Sequence, residues 1–264
     1  MNKSIYILIL GFLITSFTMQ AQTREPIQIP LSNPEQDGLL RVNIHNGAIS
    51  ITTHNKNEVV LIMHEKKNEG SNKKSRSGLR RIEKQNVDVN ITEDNNEINV
   101  TSSQNSRIDL DLKVPKNFSL FLSTHHSGDV YVNGVNGTME VRSHHGGIKM
   151  EEVSGSVIAD THHGAIEVTM QEINPNAPMA FTTYHGDVDI SFPEDLTGTL
   201  KMKSSKGDIY TDFVFKASKP KVLTTKQGSK REIKLEGWTY GQIGSSQEEL
   251  TFKTYHGDVI IRQN

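Results

Sequence analysis

Apolar and polar residues alternate in short runs along most of this chain, and each run stops just before a glycine. Leu40, Val42 and Ile44 precede Gly47, Leu120 and Leu122 precede Gly128, and Met139 and Val141 precede Gly146. The same holds for Val157 and Ala159 before Gly164, and for Met179 and Phe181 before Gly186. It holds again for Leu200 and Met202 before Gly207, and for Leu250 and Phe252 before Gly257. A period of two puts alternate side chains on one face, so each run predicts a strand with one buried face. A shorter alternating run follows most of these glycines, as in Val130 and Val132, Ile148 and Met150, or Val259 and Ile261.

The runs form a repeat. From Gly128 the glycines advance in steps of 18, 18, 22 and 21 residues, then by 50 to Gly257. Each unit reads as strand, corner, strand and return arm, with Val135 and Val153 as inward residues of two return arms. A unit of about 20 residues cannot bury its own apolar face and must stack on its neighbours. The pattern therefore predicts an all-β parallel solenoid with rungs of about 18–22 residues, spaced ~4.8 Å apart. A sandwich of hairpins is the competing arrangement. Two-residue hairpin loops favour Asn-Gly or Asp-Gly, and these corners do not read that way. Ser127 is one residue too many in its unit and predicts a bulge.

The corners carry the chemistry. They read THHSGD (124–129), SHHGG (143–147), THHGA (161–165), TYHGD (183–187) and TYHGD (254–258). By alternation His125, His144, His162, Tyr184 and Tyr255 project outward just before the turn. His126, His145, His163, His185 and His256 fall in the inward parity, but at the bend. The first five are candidate surface-binding residues.

Three stretches resemble the bacterial putative-adhesin β-strand-repeat (toast-rack) family. They are LLRVNIHNGAISITTHNKNEVVLIM (39–63), DLKVPKNFSLFLSTHHSGDVYVNGVNGTMEV (111–141) and GQIGSSQEELTFKTYHGDVIIRQN (241–264). The resemblance implies a right-handed parallel β-helix, export and an adhesin-like role. It supplies no catalytic motif. This sequence departs from the commoner repeat in its histidine and tyrosine corners.

Composition narrows the picture further. Only 34% of residues are hydrophobic, which suits a thin, elongated core. Lys3 followed by an apolar stretch from Ile5 to Phe17 predicts a signal peptide over 1–21, with the solenoid occupying 22–264 as a single domain. No later stretch is apolar enough to span a membrane as a helix. The expected location is periplasmic, outer-surface or extracellular. Cysteine is absent, which excludes disulfides and thiolate catalysis. The formal charge is −2, or −3 without Lys3, and gives no case for nucleic acid as a partner.

Residues 66–84 hold eight basic and two acidic residues and read as a loop or short helical excursion. Lys73, Lys74, Arg80 and Arg81 in it are candidates for contact with an anionic surface. The corner histidines could converge on a metal ion, but their spacing matches no zinc signature, and stacked packing is the preferred reading. No metal or cofactor is assigned. Asp129, Asp187, Asp208 and Asp258 follow repeat glycines and read as turn residues rather than calcium ligands. MHEKKN (63–68) lacks the second histidine of a zinc-protease helix, and no nucleophile elbow or phosphate loop occurs. Trp238 and Tyr240 are placed at the end of the stack, where they would close the core.

The expected function is a non-enzymatic, adhesin-like solenoid for adhesion or scaffolding at the cell envelope. Its expected partner is an envelope component or glycan. The alternatives are a glycan-binding or glycan-active β-helix, and a histidine-based metal- or pH-sensing module.

Overall fold

Strands that flank each corner glycine pair in parallel with their counterparts in neighbouring coils, so the chain folds as a parallel β-solenoid. The computed structural model describes residues 25–66, 88–174, 176–218, 222–227, 230–235, 237–246 and 248–264. The expected signal peptide and nearly all of the basic segment, including Lys73, Lys74, Arg80 and Arg81, lie outside the described residues. Among the described residues there is no helix.

Two faces meet at the corner. On the pre-corner face Leu40 pairs with Leu120, Leu120 with Met139, and Met139 with Val157. On the post-corner face Ile49 pairs with Val130, Val130 with Ile148, Ile148 with Ile166, and Ile166 with Val188. Ile148–Thr161 runs through both faces, which joins twenty strands into one hydrogen-bonded network. Its bend carries Glu152 at φ 53 and a register shift at Val153, whose side chain is fully buried. Like residues stack over like, so the core consists of files of Leu, Val, Ile and Met. Phe181 and Phe252 stack in one of them with ring centroids 5.4 Å apart.

Spatial order departs from sequence order. Equal steps suggest that the Gly207 coil follows the Gly186 coil. Instead the last coil of the chain, Glu249–Thr254 and Val259–Gln263, lies between them. Its first strand pairs in parallel with Met179–Thr182 on one side and Gly198–Ser204 on the other. The N-terminal coil is likewise enclosed. Gly38–Asn46 lies between Glu97–Ser102 and Phe118–His126. The glycine file therefore runs 47, 128, 146, 164, 186, 257, 207, each approaching the carbonyl of a neighbour. The long step to Gly257 is the reason. It gives the chain enough length to pass the Gly207 coil and return.

Glycine at the corner is required by close approach. A Cβ on Gly146 would stand 2.0 Å from the carbonyl oxygen of Gly128. Ser127 has φ 38, and the pairing offset falls by one residue across it, confirming the bulge.

Antiparallel strands cover the ends. Val89–Asp94 pairs with Glu97–Ser102, and Ile27–Pro30 and Glu58–Glu65 extend the other face. At the far end Thr239–Ile243 lies antiparallel on Gly198–Ser204, and Lys216–Ser218 lies on it in turn. Tyr240 in that strand is buried, and Trp238 sits over Lys201 and Lys203 at 5.1 and 5.6 Å. Val222–Gln227 and Lys230–Leu235 form a separate hairpin.

Candidate functional site: a two-file ribbon of rings

Coils in register carry equivalent side chains at equivalent heights, and this builds the site. The residue two before each corner glycine, or three before it in the coil bulged at Ser127, forms one file: His45, His125, His144, His162, Tyr184 and Tyr255. Successive ring centroids are 5.2, 4.9, 5.2, 5.0 and 4.7 Å apart, with ring planes within 8° of parallel. The next residue forms a second file: His126, His145, His163, His185 and His256. Its spacings are 5.7, 5.0, 5.0 and 4.6 Å. Within each coil the two rings meet edge to face, as in His144 and His145 at 4.4 Å and 71°.

Nine of the eleven histidines thus share one corner. The outward parity expected for His125, His144, His162, Tyr184 and Tyr255 places them in the first file together. The second file departs from its expected inward parity. The chain turns there, and His126, His145, His163, His185 and His256 are all exposed. Sequence reasoning also passed over His45. The signal was present, because His45 stands two before Gly47 as His162 stands two before Gly164.

A hydroxyl file lies directly beneath the ribbon. Thr124, Thr161, Thr183, Thr254 and Ser204 donate to the carbonyls of Gly47, Gly146, Gly164, Gly186 and Gly257 at 2.7–2.9 Å. The Gly146, Gly257 and Gly207 amides in turn donate to Ser143, Thr254 and Ser204. These are buried polar groups at the ends of apolar alternations, and sequence alone gave them no role. Beyond the corner, Asp129, Asp187 and Asp258 accept the amides of Gly147, Asp258 and Asp208, each at 2.8 Å. The aspartates act between coils as turn residues.

The ribbon's electrostatics follow from crowding. His126, His144, His145, His163 and His185 are all held below the ordinary imidazole value. Loss of hydration is the largest cause, and the charge of neighbouring histidines adds to it. The Nδ1 of His144 is sealed from solvent with no hydrogen-bond partner, which also suits a neutral ring.

Several charged groups on the post-corner face pair with each other. Tyr131 donates to Glu151 at 2.7 Å, and Lys149 approaches Glu151 at 3.0 Å. Arg262 makes two 2.8 Å bonds to Asp189. They border an open groove shared with Glu167 and Thr169. No helix among the described residues is long and apolar enough to cross a membrane.

Stacked parallel coils with a shared corner motif and antiparallel end strands define a β-solenoid of the strand-repeat class. The chain belongs to the Toastrack family DUF4097, whose model matches residues 15–262. Comparison with curated proteins finds no match. A solved "putative cell adhesion protein" from Clostridium sporogenes ATCC 15579 is similar at 11% identity and a TM-score of 0.47, over 91% of this chain and all of that one. A "putative adhesin" from Bacteroides fragilis NCTC 9343 is similar at 10% identity and a TM-score of 0.25, over 93% of this chain and 98% of that one. Likeness at that level says nothing of what this chain binds.

Proposed function

We propose that this protein is an exported, non-enzymatic, adhesin-like scaffold of the bacterial cell envelope, and that the corner ribbon is its contact surface. The observation that carries the reading is the register of the two files. Stacking covers the ring faces, and the exposed rings, which are all but half-buried His45 and His144, present polar edge groups to solvent. An imidazole edge carries one donor and one acceptor, and a phenol carries a hydroxyl. The ribbon therefore offers polar edge groups at every coil, at a near-constant step. An extended polar polymer, such as an envelope glycan, can bond to successive coils in this way. Lys3 and the apolar stretch after it support export. Periplasmic, outer-surface and extracellular locations all fit.

Glycoside cleavage takes a pair of carboxylates. Of the groove's three, Glu151 and Asp189 are held by cations and a phenol, which supports a binding role over a glycan-cleaving one. A pH-responsive contact is a second reading, favoured by the five imidazoles held neutral. Acid would turn a neutral ribbon into a cationic ridge.

Pull-down from intact envelopes tests the proposal, with wild type compared to a His144→Gln/His162→Gln/Tyr184→Ala variant. Loss of retention in the variant is expected. Retention that survives these changes, but vanishes when Lys73, Lys74, Arg80 and Arg81 are neutralised, would move the contact to the basic segment and overturn it.

A further inference from the structure

The ribbon is not uniform, and its N-terminal end differs in a way that matters for metals. Along the interior of the second file each imidazole is covered on both faces by parallel rings. His145, for example, lies between His126 and His163. The file ends at His126, because the equivalent residue in the next coil is Asn46. Asn46 turns its amide to the carbonyl of Gln104 instead of stacking. His126 is stacked by a parallel ring on one face only, and its 5.7 Å spacing to His145 is the widest in either file. Two first-file rings meet it edge to face, His125 at 4.6 Å and 74°, and His45 at 4.9 Å and 81°.

One ring nitrogen from each of His45, His125 and His126 lies within 4.8 Å of the other two. We infer that these three imidazoles form a divalent transition-metal site, with Zn2+ as the fitting ion and the fourth position open to solvent or an external ligand. Zinc–imidazole bonds of ~2.0–2.1 Å in tetrahedral geometry place ligand nitrogens about 3.3 Å apart. Closing that gap requires His45 and His125, which stack within 8° of parallel, to tilt out of their stack so that both lone pairs face one ion. His125 and His126 are exposed and His45 is half-buried, so the rings have room to turn. The donor chemistry agrees. An all-imidazole set without thiolate suits zinc, copper or nickel, and calcium and magnesium ask for oxygen. Three histidines and an open position is the ligand pattern of open zinc sites rather than closed structural ones. The site sits at one place on the ribbon because only there, among the described residues, does a file end on histidine beside two perpendicular imidazoles; at the other end the rings perpendicular to His256 are those of Tyr184 and Tyr255. The inference is independent of what the rest of the ribbon binds.

Titration calorimetry of the whole protein with Zn2+, paired with X-ray absorption at the zinc edge, tests this. One ion per chain and three imidazole nitrogens in the first shell are expected. His45→Gln and His126→Gln should each weaken binding by more than the about 10–100-fold that loss of an outer-shell partner costs. His163→Gln and His256→Gln, which leave the trio intact, should bind as wild type does. Melting temperatures without zinc check that all four variants fold. Should either trio variant fail to fold, the absorption spectrum of wild type still decides the matter. Fewer than three imidazoles, no binding, or several ions weakened equally by all four substitutions would overturn the site.

Discussion

Thr161 shows how much a single side chain does at the corner. Its hydroxyl is buried and donates to the Gly146 carbonyl at 2.8 Å, tying one coil to the next beneath the ribbon. Thr161→Val keeps the shape and removes the donor, leaving a carbonyl desolvated. Urea unfolding should show a loss of about 1–3 kcal/mol, the cost of an unsatisfied buried group. Thr182→Val, one residue before the next hydroxyl and on the outer face, should change stability by less than about 0.5 kcal/mol. Equal effects would mean that the hydroxyl file carries no stability. The imidazoles make a second prediction at this scale. The folded values of His126, His144, His145, His163 and His185 lie below the unfolded one. The unfolded chain therefore takes up protons first as pH falls. Their contribution is complete above about pH 6.5 and is lost as pH drops below that value. Glu93 and Glu151 are held low by hydrogen bonds, so their contribution is lost only in stronger acid. Melting temperature should be level from pH 8 to 7 and fall towards pH 5, with a shallower fall in a His144→Gln/His163→Gln variant. A flat profile in wild type would contradict the crowding argument.

Between strands, the sequence was legible wherever two-residue alternation met a glycine. Leu120 and Leu122, or Val157 and Ala159, announce a half-buried strand without help. What alternation does not encode is which coil lies next to which. Leu250 and Phe252 match the inward pattern of Leu200 and Met202 equally well, so either coil could sit against Met179 and Phe181. Phe252 stacks on Phe181, and that contact favours the observed order. His126 and His145 leave the inward parity for a related reason: the period-two rule holds along a strand and fails at the bend where they stand. The interleaved coil carries a prediction. In a solenoid stacked in chain order, removing the last coil trims one end and leaves the rest folded. Here removal of 248–264 deletes an interior coil. Hydrogen exchange on such a truncation should show protection lost across Thr199–Ser204 as well, since those residues pair with Glu249–Thr254. Full protection there would contradict the topology.

Across the molecule, the corner ribbon is a consequence of the fold and not of any local motif. Histidines as far apart in sequence as His45 and His256 reach one line because every coil turns at the same place. The chain's membership in the Toastrack family fits its strand repeats. The candidate site was half legible: the outward file could be read from parity. The second file, the hydroxyls beneath it and the trio at its end depend on register between distant coils. The most direct test of that register uses the absence of cysteine from the chain. Tyr184 and Tyr255 occupy equivalent corner positions of adjacent coils, with ring centroids 4.7 Å apart, and parallel coils ~4.8 Å apart bring such positions within disulfide range once both are cysteine. Under mild oxidation a Tyr184→Cys/Tyr255→Cys variant should cross-link within the monomer, and a Tyr184→Cys/Ser205→Cys variant should not. Cross-linking of the second pair and not the first would show coils stacked in chain order, and would contradict the structure described for the ribbon.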